Sequence, residues 1–297
     1  MMPHRPIVLA LLAVMAITVG VSLAQQFQQF QRQRRPRPTA TIPEDRAGIP
    51  NWKVDERYKE DVFTFVRIQY DSVGGRGRGR GGFGGYGWEK WLTDFPDSDL
   101  NFSYRLQQLT SIKVNPVPII LKLTDDQLFD YPFIYIIEPG NLSFAEEEAS
   151  ALRRYLLNGG FLMVDDFWGD AELENFLEQM RRVFPEEKYK PKELPLEHPI
   201  FQCVYRLKER PQVPSIHSWG GPGSNVTWEW NHEGDTRTVH YRGITDDKDR
   251  LMAIICHNTD LGDGWEREGE NEDYFHEFSE KKSYPMGINI VTYAMSH

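Results

Sequence analysis

Cysteine is scarce: 297 residues include only Cys203 and Cys256. Two thiols allow at most one disulfide, and whether they pair or sit as two buried thiols in core strands is a matter of Cα separation, which spacing does not give. Long apolar runs are also missing. The longest, Ile7 to Val21, has about 15 residues against the ~20 that a spanning helix needs. Acidic residues are absent from residues 1–43 and again from 74–87. Most telling is the turn after the most strand-like segment, Phe161-Leu-Met-Val164, which carries no Ser, Cys or His. No nucleophile of the ordinary kind is present where an α/β enzyme would hold one.

What stands at the N-terminus reads as an address. His4 and Arg5 precede the apolar run, and Ser22-Leu-Ala24 supplies small residues before Gln25. That pattern predicts a secretory signal peptide over 1–24, cleaved after Ala24, and hence an exported protein, periplasmic or extracellular. The alternative is an uncleaved anchor, which would make the N-terminal segment the one route to membrane association. Residues 25–55, rich in Gln, Arg and Pro, read as a disordered linker. The net charge is −10, yet residues 1–43 and 74–87 together hold eight arginines; setting those aside leaves −18 on the rest. An acidic body argues against nucleic acid as its partner. The tract Gly74 to Gly87, with Arg76, Arg78 and Arg80, reads as a glycine-rich surface loop rather than an RNA-binding segment.

Over 56–297 the pattern predicts a single α/β domain. Phe63–Tyr70 alternates as a strand, and Ile119–Leu123 and Phe133–Ile137 are short apolar strands. Between the first two lies a helix over Asp99 to Ile112 with Phe102, Leu106 and Leu109 inward. Ser143 and Glu146 form a candidate capping box for a helix whose inner face is Phe144, Leu152, Tyr155 and Leu156, ended by Gly159-Gly160. Asp170 is the expected N-cap of the next helix, with Leu173, Phe176, Leu177 and Met180 inward. Leu251–Cys256 is a late strand, and Pro285 to about Ala294 a last helix offering Ile288, Val291 and Met295. Strand and helix in alternation imply a mostly parallel sheet covered on both faces, a three-layer sandwich.

The segments Trp91-x-x-Asp94-x-Pro96, Leu128–Phe133, Gly159–Gly169, His198–Phe201, His257–Trp265 and Tyr284–Asn289 together resemble an uncharacterised bacterial family, domain of unknown function 4159. The resemblance implies a flavodoxin-like sandwich of the class I glutamine amidotransferase type, without an established activity. Amidotransferases of that fold carry a cysteine after the central strand and a His-Pro-Glu after a late one. This chain has Asp165-Asp166 at the first place and His257-Asn258-Thr259 at the second. A carboxylate attacking glutamine would give an anhydride instead of a thioester, so glutaminase activity is not expected.

Ligands of parallel sheets sit beyond the carboxyl ends of the strands, which makes Asp165, Asp166, His257 and Asp260 the candidate catalytic residues. Asp170 and Asp263 are further acids that can converge there. Oxygen-rich clusters suit Mg²⁺ or Ca²⁺, and one histidine admits Zn²⁺ or Mn²⁺. Adjacent residues of a strand point to opposite faces, so Asp165 and Asp166 need not share a site. Trp168, Trp265 and Tyr284 are candidates for an aromatic ligand-binding wall, or for packing. His198 reads as a turn residue and Glu266-Arg267-Glu268 as a solvated charge run. Two functions follow: a catalytically inactive amidotransferase-like module binding a partner protein or small ligand, with no cofactor, or a metal-dependent hydrolase using the Asp165/Asp166 and His257/Asp260 turns.

Overall fold

Apolar runs such as Phe133–Ile137, Phe161–Val164 and Leu251–Cys256 give the central strands of a sheet buried on both faces. A computed structural model describes residues 46, 48–59, 61–72 and 90–297. Its strands are β1 (Val66–Gln69), β2 (Asp71–Ser72), β3 (Ile119–Lys122), β4 (Phe133–Ile137), β5 (Leu142–Ser143), β6 (Phe161–Asp165), β7 (Lys192–Glu193), β8 (His240–Thr245) and β9 (Leu251–His257). Helices are α1 (Asp97–Leu109), α2 (Glu146–Leu157), α3 (Gly169–Val183), α4 (Leu261–Glu266), α5 (Glu272–Tyr274) and α6 (Tyr284–Ser296), with a π-helical stretch, Phe275–Ser283, joining the last two. The main sheet runs β3-β1-β4-β6-β9-β8-β7. Its first five strands are parallel, and β8 lies antiparallel to both β9 and β7. The second strand of the parallel set thus lies outside the first and the rest follow on the other side, so crossovers diverge between β1 and β4.

Strand periodicity divides the core. Val66, Ile68, Ile134, Ile136, Leu162 and Val164 face α2 and α3, where Leu152, Leu156, Phe176 and Met180 meet them. Phe65, Phe133, Tyr135, Met163 and Ile254 face the other way, onto Phe102 and Leu106 of α1 and Ile288 and Val291 of α6. The result is an α/β sandwich with a mostly parallel central sheet. The described residues fall within one compact unit, Thr39–His297.

Several local expectations are corrected. Leu109 is 50% exposed, because α1 ends there and the chain leaves toward β3. Ser143 does not cap α2: it is held in β5, paired with Asp71, and Glu148 accepts the Ala145 amide at 2.8 Å instead. Met295 projects from α6 into solvent. The end of the stretch expected to be linker is tied down, with Trp52 Nε1 donating to the Val114 carbonyl at 2.7 Å and Arg46 to that of Pro116 at 3.0 Å. Cys203 and Cys256 are both free, and Cys203 is exposed while Cys256 is buried in β9. His198 is a turn residue, its Nδ1 accepting the Ile200 amide at 3.2 Å. The signal-peptide stretch 1–24 and the tract 74–87 lie outside the described residues. Among the described residues no helix is long and apolar enough to cross a membrane.

One charge penetrates this apolar frame. Arg67 of β1 is fully buried. Its Nε donates to Asp99 Oδ2 at 3.0 Å and its Nη2 to Asp99 Oδ1 and to Ser98 Oγ; its Nη1 donates to the carbonyls of Trp91 at 3.1 Å and Thr93 at 2.8 Å. All five N–H groups are thereby used, which a buried guanidinium requires. Replacing Arg67 by Met strands the Asp99 carboxylate and should cost about 3–5 kcal/mol in urea denaturation. Adding Asp99→Leu should recover only part of the loss, because the Trp91 and Thr93 carbonyls still lack the Arg67 donors.

Candidate functional site

Three neighbouring parallel strands end in the same way. The first residue beyond β4 is Glu138 (φ 46°), beyond β6 Asp166 (φ 55°), and beyond β9 Asn258 (φ 60°). All are left-handed, a conformation that costs non-glycine residues about 1–2 kcal/mol and that concentrates where function constrains the backbone. Asp94 (φ 61°), in the loop before α1, is a fourth. The turns bring carboxylates together at the carboxyl edge of the sheet. One oxygen from each of Asp94, Asp166 and Asp260 lies within 4.8 Å of the other two.

Each member is held differently. Asp94 sits in the loop that Arg67 pins through the Trp91 and Thr93 carbonyls. The same loop is fastened to Glu138 by Lys90 Nζ and by Thr93 Oγ1, the latter at 2.7 Å. Asp166 Oδ1 accepts from Trp168 Nε1 at 3.1 Å. Asp260 caps α4, its Oδ1 accepting the Asp263 amide at 2.7 Å. Among the described residues Asp94 Oδ2, shielded from solvent, has no hydrogen-bond partner, the situation in which a buried polar atom calls for an explanation.

Asp165 and Asp166 do part company, as alternation on a strand requires. The Asp165 side chain is fully buried and anchors the neighbouring turn: Oδ2 accepts from Tyr135 OH at 3.2 Å and from the Gly262 amide at 3.0 Å. Only Asp166 joins the cluster. His257 is not a member either. Its Nε2 faces the Gly169 carbonyl at 2.9 Å and its Nδ1 faces Arg242 at 3.3 Å. Burial lowers its pKa to about 4, so the ring is neutral, donating from Nε2 and accepting at Nδ1.

The proposed aromatic wall does not form. Trp265 lies in the core, 4.4 Å from Phe102 between ring centroids. Tyr284 is buried and donates to Glu268 Oε2 at 2.5 Å. Trp168 is buried beside Asp166, where its indole serves as a hydrogen-bond donor. Asp170 is not the cap of α3: the helix opens at Gly169, Glu172 accepts the Trp168 amide at 2.9 Å, and Asp170 Oδ2 accepts the Asp235 amide at 3.3 Å. Nor is Glu266-Arg267-Glu268 a solvated run. Arg267 pairs with Asp263 at 3.1 Å and with Glu266 at 2.8 Å, and Glu268 pairs with Arg105.

Electrostatics single the cluster out. Burial, and then the charges of Asp263 and Glu266, push the Asp94 carboxyl well above the usual range. Asp166 is raised likewise, by burial and then by Glu138 and Asp94, and Asp260 by burial and then by Asp166 and Asp94. Asp165, raised by burial, reaches about 7. A second grouping, Asp94 with Asp263 and Glu266, already has its cation in Arg267. Among the described residues, Asp94, Asp166 and Asp260 have no paired cation, Lys90 being engaged by Glu138 and Arg267 by Asp263 and Glu266. Three oxygens at this spacing match a hard divalent cation bound at about 2.1–2.5 Å.

Asp94 was missed as a site residue because it lies in a loop about 70 residues before Asp165 in the chain. Its signal was present in Trp91-x-x-Asp94-x-Pro96, a motif with no role in the helix or strand pattern. Glu138, which fastens the Asp94 loop, was missed because nothing local distinguishes it.

Carboxyls raised on folding bind more protons in the native state than in the unfolded chain, where aspartate titrates near 4. In metal-free buffer the protein should therefore be most stable near pH 4–5 and lose stability as pH rises through about 7, a trend readable in urea midpoints. Asp166→Asn removes one of the repelling charges and should raise stability at pH 7 by about 1 kcal/mol, while Asp165→Asn, which disturbs two buried hydrogen bonds, should lose about 1–2 kcal/mol.

The family described as a domain of unknown function (DUF4159) matches residues 80–295. That span covers Asp94, Asp166 and Asp260 and all of the sheet from β3 onward. No curated protein matches the chain.

Proposed function

Because the chain belongs to the DUF4159 family, whose description names no activity, its function has to come from the site, and we propose that it is a divalent-cation-binding module. The observation that carries the reading is the convergence of Asp94, Asp166 and Asp260 within 4.8 Å around a shielded Asp94 oxygen that has no hydrogen-bond partner among the described residues. A cation there relieves three raised carboxyls at once. All-oxygen donors favour Mg²⁺, Ca²⁺ or Mn²⁺ over Zn²⁺, since the one histidine that might have shifted the preference, His257, is engaged elsewhere.

The order of the parallel strands, second-first-third-fourth-fifth in the chain, supports a flavodoxin-like scaffold of the amidotransferase type. On such a scaffold Asp166 occupies the left-handed strand-to-helix turn where a cysteine would stand. A ligand carboxylate in that position supports a binding role over glutamine hydrolysis. It equally fits a metal-dependent hydrolase, with the cation held by Asp94, Asp166 and Asp260 and with His257 excluded.

Isothermal titration of the metal-free protein with Mg²⁺, Ca²⁺, Mn²⁺ and Zn²⁺ tests the proposal. We expect one equivalent of Mg²⁺, Ca²⁺ or Mn²⁺ to bind, tighter at pH 8 than at pH 6 because protons compete for the same carboxyls. Asp94→Asn, Asp166→Asn and Asp260→Asn should each weaken binding by roughly tenfold or more, and His257→Ala should leave it unchanged. Absence of stoichiometric binding, or binding untouched by all three Asp substitutions, would sink the assignment.

Export is part of the same reading, supported by the basic start and apolar run of residues 1–24. N-terminal sequencing of protein from its native host should begin at Gln25, and an intact Met1 in a cytoplasmic fraction would exclude it.

A further inference from the structure

Between Gln202 and Val239 the chain forms no helix or strand, an unusual length for an irregular segment in a compact domain. It is nonetheless closely bonded. Val213 is joined to the β9–α4 turn by its amide to Thr259 Oγ1 at 3.0 Å and by its carbonyl to the Asp260 amide at 2.9 Å. The Ile216 amide donates to Asp263 Oδ2 at 2.7 Å. Twenty residues on, the same segment docks on the start of α3, where the Glu233 carbonyl accepts the Asp170 amide at 2.8 Å. Gly169, left-handed at φ 72°, is required there: a Cβ would lie 2.2 Å from the Glu233 oxygen. The segment therefore straps the two turns that carry Asp166 and Asp260, which are 8% and 4% exposed.

One side chain joins the strap to α3 and to itself. His232 Nδ1 meets Glu172 Oε1 of α3 at 2.8 Å, and His232 Nε2 meets Glu229 Oε2 of the strap at 3.2 Å. Glu229 Oε1 accepts the Ser215 amide at 3.0 Å, tying in the far limb, and Glu172 Oε2 accepts the amide of Trp168, whose indole holds Asp166. Two carboxylates on one imidazole require both nitrogens to donate, and hence a charged ring. Resting on the cation-site reading for what it covers, we propose that His232 is a latch that keeps the 212–239 strap closed over the acidic centre and so limits exchange of the cation.

The groups facing His232 are Glu172 from α3, Glu229 from the strap, and the Trp168 ring. Against the cost of burial, Glu172 and Glu229 raise the histidine to about 9. The latch is therefore fully fastened below the unfolded value near 6.5 and is lost as pH rises through about 9.

Hydrogen exchange with mass spectrometry on the full chain reads the latch directly. In His232→Ala and His232→Gln at pH 7, peptides spanning 213–235 should exchange roughly tenfold faster than in wild type, with those spanning β9 unchanged. Raising the pH from 7 to 10 should bring the wild-type strap to the rate of His232→Gln at the same pH. Equal strap exchange in all three proteins at pH 7 overturns the latch. Terbium(III) luminescence then reads gating: association should be about tenfold faster in His232→Ala. Strap exchange that rises without faster terbium association overturns the gating role. Terbium binding that Asp166→Asn leaves intact overturns the cation site while the exchange result still decides the latch.

Discussion

Arg67 reaches into the layer between the sheet and α1, beside the ring of Tyr135, and it is the one full charge of β1 there that polar partners must satisfy. Its guanidinium binds Asp99 at the start of α1 and two carbonyls of the loop before it. A single buried cation thus fixes the angle of a helix and the path of a loop. That loop delivers Asp94 to the carboxyl edge. Without the ion pair the edge would hold the acids of β6 and β9 but lack the third.

The remaining acids are set by the ends of the strands. Glu138, Asp166 and Asn258 each turn the chain through the left-handed region one residue beyond β4, β6 and β9. The repetition places polar side chains side by side at successive turns, while the residue before each continues the strand. In β6 this splits two adjacent aspartates between two jobs. Asp165 ties the Gly262 turn to Tyr135, and Asp166 faces Asp94 and Asp260.

Charge balance explains why one acidic group and not the other suits a cation. Arg267 lies among Asp263 and Glu266, Lys90 on Glu138, and Arg67 on Asp99, so each of those acids has a fixed counter-charge. Asp94, Asp166 and Asp260 share burial and mutual repulsion. Protons answer that repulsion at low pH, and on the proposed reading a divalent ion would answer it above. The proposed latch on the strap would add a third control, since a buried cluster exchanges ligand only as fast as its cover opens.

By itself the sequence determined the sandwich. Short apolar runs such as Phe133–Ile137 and Leu251–Cys256, alternating with amphipathic helices, admit little else, because their periods and lengths are local properties. It also determined that the turn after Phe161–Val164 is acidic and lacks a thiol. Tertiary structure alone decided which acids meet. Asp94 joins Asp166 and Asp260 across long stretches of chain, through a loop oriented by Arg67, while His257, only three residues from Asp260, is turned to Gly169 and Arg242. It likewise decided that Trp265 and Tyr284 are core residues, and that Glu266-Arg267-Glu268, hydrophilic in every local respect, is bound up in ion pairs. Local patterns specify which residues a strand or helix buries; side-chain convergence depends on how distant turns pack, and no spacing in the chain encodes that.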